Sequence, residues 1–230
     1  MNIRLLGKQF PFVYYQDKFF YYFRKPAGIA STWWKTASFL DLMCDWKKNW
    51  DIQNIVKSQI SFFGKEKELW LLNRLDSATS WLLYFAKNLK VYNNFRGWQK
   101  ELVIDKYYIA LVYWNIENWI KCNGSIIWFP IMHHKFSDDR MVVIKTDDDM
   151  DKWKWNIHEV KTEITDVQYL GWENRSLLVI KIHKWIRHQI RAHLSSIGYP
   201  ICWDEIYCKS KLQEFDKLQL FSVWMECDKL

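Results

Sequence analysis

The chain has 230 residues, half of them hydrophobic, and a net charge of +7. That is enough for one substantial core and a small appendage, and it excludes a chain disordered throughout. The modest positive balance suits a polyanionic partner such as RNA or DNA without requiring one.

In chain order, "FPFVYY" and "KFFYYF" read as strands separated by the turn-like Gln16-Asp17-Lys18. "RKPAGIAST" breaks the pattern with Pro26 and Gly28 and reads as a loop. Residues 37–62 are mixed and partly helical. "WLLYFAK" (81–87) has the length and aromatic content of a buried strand, and "KYYIALVYW" (106–114) alternates as a strand does. "IIWFPIMHH" and "RMVVIKT" resemble a hairpin pair, "DDDMD" (147–151) a solvated turn, and "SLLVIKIHK" (176–184) another strand. "RHQIRAHLSSIG" (187–198) reads as a helix, with Ile190, Leu194 and Ile197 on one face and Gly198 as its stop. Arg187 and Arg191 border that apolar stripe. Strands predominate without a regular βαβ alternation. A mixed α/β (α+β) fold with a central, mainly antiparallel sheet and flanking helices is expected.

The five cysteines form no CxxC pair and read as reduced thiols. No signal-peptide pattern opens the chain, and no apolar run approaches the roughly 18 residues that span a bilayer. A cytoplasmic protein without membrane attachment is expected. His133-His134, with Cys122 or with the acidic run, fits no common zinc or calcium spacing, and adjacent histidines on a strand point to opposite faces. No metal is expected.

Asp76 follows Arg74-Leu75 in a polar loop ahead of the strand at 81–87. By itself it would be a turn or cap carboxylate, the usual fate of an Asp before Ser-Ala-Thr-Ser. Its company changes that reading. "NRLDSATSWLLYFAK" resembles the motif of RluA-type RNA pseudouridine synthases, which carry an aspartate in an Arg-Leu-Asp loop. "RKPAGIAST" resembles the family's Lys-Pro-x-Gly segment, and "KYYIALV" its Lys-x-Tyr-x-Ala-x-Val strand. "RHQIRAHLSSIGYPICWDEIYCK" resembles its His-Gln-Ile-Arg helix with the Gly-x-Pro-Ile and Asp-x-x-Tyr that follow. The order is right over nearly the whole chain.

The resemblance implies a catalytic Asp76, with Tyr108 lying against the target base and Arg191 pairing with the aspartate. It assigns Arg74, Arg187, His188 and Gln189 to substrate binding, with Arg74 helping to push the uridine from its stack. It implies ribosomal or transfer RNA as partner, no cofactor, and a single catalytic domain over 1–230 acting as a monomer. Too few residues precede the first matching strand for an S4-like RNA-binding domain. The chemistry suits these residues. Isomerisation needs a carboxylate as nucleophile or base, and a guanidinium nearby keeps a carboxylate ionised in a dry pocket. Asp76 and Arg191 are therefore expected within about 4–6 Å of each other. An extruded base costs a few kcal/mol to unstack.

The departures share one identity. Globular chains carry about 7% glycine, roughly 16 residues at this length, whereas this chain has 7 glycines and 16 tryptophans. The resembled family usually has glycine at Trp70, Trp81, Trp185 and Trp203, and often at Trp34, Trp114 and Trp224. Some bacterial lineages read UGA as glycine, and translating it as tryptophan would give this pattern. Two further departures are Asn73, where the family has histidine, and Lys184-Trp185-Ile186, where it has Thr-Gly-Arg.

Overall fold

The computed structural model describes residues 2–5, 8–11, 13–32, 38–40, 70–137, 139–146, 157–208 and 216–229. Most of the stretch 37–62, the acidic turn at 147–151 and Trp34 lie outside the described residues. The chain forms two compact units, Met1–Glu101 and Leu102–Leu230.

In the first unit, β1 (Asn2–Leu5) pairs antiparallel with β2 (Lys8–Pro11). Strands β3 (Val13–Gln16), β4 (Phe20–Lys25) and β5 (Ser80–Ala86) follow one another as antiparallel neighbours. Asp17 makes the β3–β4 turn, its Oδ1 accepting from the amides of Phe19 and Phe20 at 2.7 Å each. An Asp side chain that binds its own downstream backbone is what such a turn needs. Apart from Trp81, β5 is buried at every position, and Phe23 of β4 packs edge-on against Phe85 at 5.1 Å. Truncating so buried a ring costs about 3–5 kcal/mol. Helix α1 (Leu89–Lys100) starts at Asn88, whose side chain accepts from Val91 N, and it buries only Phe95, packed at 6.0 Å on Phe20.

In the second unit, β6 (Ile104–Tyr113) leads to the short helix α2 (Glu117–Asn123) and then β7 (Ile126–Ile127). A hairpin-like pair, β8 (Ile131–His133) with β9 (Met141–Val143), matches the pairing expected from the sequence. Strands β10 (Thr162–Leu170) and β11 (Arg175–Ile182), helix α3 (Gln189–Ser196) and β12 (Leu220–Cys227) complete it. The sheet runs β12-β6-β11-β10-β7. The pairings of β12 with β6, β6 with β11, β11 with β10 and β10 with β7 are all antiparallel, and the α+β architecture is as expected. Ile131, Met141, Val160, Ala192 and Tyr207 form an apolar cluster where the β8–β9 pair meets α3. Among the described residues no helix is long and apolar enough to cross a membrane.

Helix α3 differs from its expected form. It begins at Gln189, with His188 in a left-handed conformation at its N-cap, and it is buried on nearly all sides. Arg191 and His193 are as buried as Ile190 and Leu194, so the helix has no solvent face for Arg191 to border. Ile197, placed in the apolar stripe, is its C-cap residue instead.

Candidate active site

The Asp76 turn is tied down on both of its flanks. Ahead of it, residues 70–73 run antiparallel to β5: Ala86 N donates to Trp70 O at 3.1 Å and Leu72 N to Tyr84 O at 2.8 Å. The Asn73 side chain then continues this ladder. Its Oδ1 accepts from Tyr84 N at 2.8 Å and its Nδ2 donates to Leu82 O at 3.1 Å. A carboxamide mimics a peptide group, so this departure from histidine serves the same strand. Ser31 brackets Leu75, accepting from its amide at 2.9 Å and donating to its carbonyl at 2.8 Å.

On the far side of the turn, Ser77 O accepts from Gly28 N at 2.8 Å and from the Lys25 ammonium at 3.0 Å. Gly28 has φ +84°, which only glycine adopts cheaply. Lys25 is fully buried and also donates to Pro26 O and Ile29 O. Burial pulls its ammonium down to about 7, and the negative charge of Asp76 works against that fall. The Lys-Pro-x-Gly segment thus cradles the turn. Held on both flanks, Asp76 itself is half-buried and Arg74 is exposed. The sequence marks Asn73 only as a departure from histidine, and beyond a lysine directly before Pro-x-Gly nothing in it points to Lys25 or Ser31 as residues of the site.

In the second unit, Lys106, Tyr108, Ala110 and Val112 alternate along β6, and all four are buried on one face. Tyr108 lies between Ile180 of β11 and Ser222 of β12. Arg191 is clamped by Asp204: Nε donates to Oδ2 and Nη2 to Oδ1, both at 2.8 Å, with both side chains buried. Asp204 Oδ1 also accepts from Ile206 N and Tyr207 N at 3.0 Å each, so it caps its own turn. Tyr207 lies under the Arg191 guanidinium at 5.3 Å, and its hydroxyl meets His188 Nδ1 at 3.1 Å. The Asp-x-x-Tyr motif is therefore the seat of Arg191 and His188, a role its spacing alone does not disclose.

His188 and Gln189 turn inward. Burial, reinforced by the Arg191 and Arg187 charges, lowers His188 to about 3, so its imidazole is neutral. Gln189 Nε2 donates to Lys161 O at 2.8 Å and to Thr162 Oγ1 at 3.3 Å, while its Oε1 accepts from Ile186 N. Thr162 Oγ1 lies 2.8 Å from His193 Nδ1, and His193 Nε2 lies 2.9 Å from Phe129 O. A carbonyl only accepts, so His193 Nε2 carries the proton and Thr162 donates to Nδ1. Burial lowers His193 to about 4, which keeps that tautomer neutral. This chain anchors α3 to β10. Of the three residues at the helix start, Arg187 alone is partly open, 3.6 Å from Asp139. Beside α3 a groove of about 370 Å³ is lined by His134, Arg140, Lys145 and Tyr207, with no acidic side chain among the described residues. Among the described residues no three His, Cys, Asp or Glu side chains gather as a metal site.

A family described as RNA pseudouridylate synthase matches residues 20–196. The chain belongs to that family. Within it the likeness is to the RluA type: the chain is 28% identical over 85% of its length to ribosomal large subunit pseudouridine synthase D of Borreliella burgdorferi, covering 54% of that protein. It is 25% identical over 90% of its length to the dual-specificity RNA pseudouridine synthase RluA of Vibrio cholerae, covering 73% of it. An uncharacterized RNA pseudouridine synthase of Aquifex aeolicus is 30% identical over 74% of the chain, which covers 49% of that relative. The chain thus spans about half the length of two of these three proteins. The solved human RNA pseudouridylate synthase domain containing 1 shares the fold, with a TM-score of 0.63 at 18% identity over 94% of this chain and 78% of that one.

Proposed function

We propose that the chain isomerises specific uridines in ribosomal or transfer RNA to pseudouridine, with Asp76 as the catalytic carboxylate. The observation that carries this reading is the Asp76 turn. The family's aspartate stands half-buried on a loop fixed by Ser31 before it and by Lys25 and Gly28 after it. A group that must meet a ribose in one orientation needs such restraint.

The reaction breaks the bond from base to ribose, turns the base over and rejoins it through carbon, with no net oxidation. Asp76 attacks the sugar as nucleophile or takes a proton from it as base. Arg191 is assigned as its counter-ion and Tyr108 as the surface and hydroxyl beside the base. Arg74 and Arg187 are exposed or partly open and are assigned to the RNA. His188 and Gln189, by their buried contacts, serve by positioning Arg191 and α3. Arg140 and Lys145 in the groove beside α3 offer sequence-independent attraction to phosphates. A cytoplasmic monomer working without metal or cofactor completes the reading.

The test is purified protein on its RNA in chelator. Uridine should become pseudouridine, and Asp76→Asn should abolish turnover with RNA binding retained. RNA binding without turnover by the unaltered protein would instead mark an inactive relative of the same fold.

A further inference from the structure

Seven described non-glycine residues have a left-handed backbone, and four of them are tryptophans: Trp70 (φ 55°), Trp81 (φ 83°), Trp114 (φ 68°) and Trp203 (φ 60°). Asn174 and His188, also in the set, are of types that tolerate this region, whereas a bulky residue there is an outlier. Four of the ten described tryptophans share the strain. The geometry points to glycine as the residue that the source cell places at 70, 81, 114 and 203, with UGA read there as glycine.

The neighbouring hydrogen bonds hold these conformations in place. Trp70 O accepts from Ala86 N, Trp114 N donates to Asn174 O at 2.8 Å, and Trp114 O accepts from Ser176 Oγ at 2.9 Å. Trp81 is in register opposite Lys25. Trp203 sits between Cys202, whose amide donates to Leu111 O, and Asp204, whose amide donates to Ile201 O. Relaxing any of the four to an extended backbone would break pairing on which its neighbours depend.

The indoles themselves have nothing in common. Trp70 is buried, whereas Trp81 and Trp114 are 37% and 41% exposed, so neither a core nor a binding surface explains the set. What the four share is a backbone that suits glycine. The composition agrees independently, since 16 tryptophans accompany only 7 glycines. Trp185 and Trp224 are not left-handed and carry no such strain. Two of the four positions adjoin candidate site residues: Trp203 precedes the aspartate that clamps Arg191, and Trp81 is the strand partner of Lys25.

The inference does not rest on the proposed activity, and two readouts test it without any RNA. In the source genome the four positions should be UGA, and peptides from the source cell should have the mass of glycine there. UGG codons or tryptophan masses at these positions would overturn it. In a recombinant host, a chain with glycine at all four should unfold at a higher temperature than the literal chain and than one with alanine at all four. Alanine matching glycine, or glycine failing to improve on tryptophan, would remove the steric argument. As a control, Trp119→Gly inside α2 should lower stability.

Discussion

Arg191 and Asp204 form a buried, two-point ion pair at 2.8 Å, thirteen residues apart in sequence and joined across the turn that follows α3. Breaking such a pair from one side leaves a charge uncompensated in the interior, at about 3–5 kcal/mol. Asp204→Asn should therefore destabilise the protein by about that much. Arg191→Met added to Asp204→Asn should cost far less than Arg191→Met alone. Denaturant unfolding of the four members of this cycle measures the coupling. Simple additivity would contradict the pairing.

Lys25 predicts a dependence of stability on pH. Its ordinary value is 10.5 and burial lowers it to about 7 in the folded chain. Between those values the unfolded chain still holds a proton that the folded chain has released, so stability rises with pH across that window. Below about 7 both states are protonated and this group contributes no slope. Within the window the slope is about 1.4 kcal/mol per pH unit. The difference in stability between the wild type and Lys25→Met, followed by denaturation from pH 6 to 10, isolates it. Asp76→Asn should extend the window downward, because it removes the charge that favours the ammonium. A slope of opposite sign would contradict the buried placement of Lys25.

Asn73 supplies two backbone partners in place of a third strand. Asn73→Ala should strand Tyr84 N and Leu82 O in the interior, at roughly 1–3 kcal/mol for each. Asn73→His should lose less, because a neutral imidazole offers one donor and one acceptor. Thermal unfolding of the two variants checks the order. Equal losses would mean that the pairing with β5 is not what fixes the turn.

The elements that sequence pattern revealed are those whose pattern is strong. Strands β5, β6 and β11 are apolar or cleanly alternating, and each lies where its residues suggest. Helix α1 was missed because "LKVYNNFRGWQK" buries only Phe95 and contains Gly97, which leaves no apolar stripe to see. Strands β10 and β12 mix polar and apolar residues and are largely half-exposed, so neither stands out. Helix α3 is legible in the sequence and so is an arginine beside its apolar stripe, but the pairing of Arg191 with Asp204 is not. Only the fold brings Asp204 to Arg191, and without that partner a buried arginine is unreasonable. Lys25 is a similar case, since its burial depends on carbonyls supplied by two separated loops. The ordered motifs mark the candidate residues. The contacts that hold it are tertiary and have no local signature.

The most direct test of the central claim is a map of pseudouridine in ribosomal and transfer RNA from source cells with and without the gene. At least one uridine should lose its pseudouridine on deletion, regain it with the intact gene, and stay unmodified with the Asp76→Asn gene. Restoration by Asp76→Asn, or identical maps with and without the gene, would contradict the account.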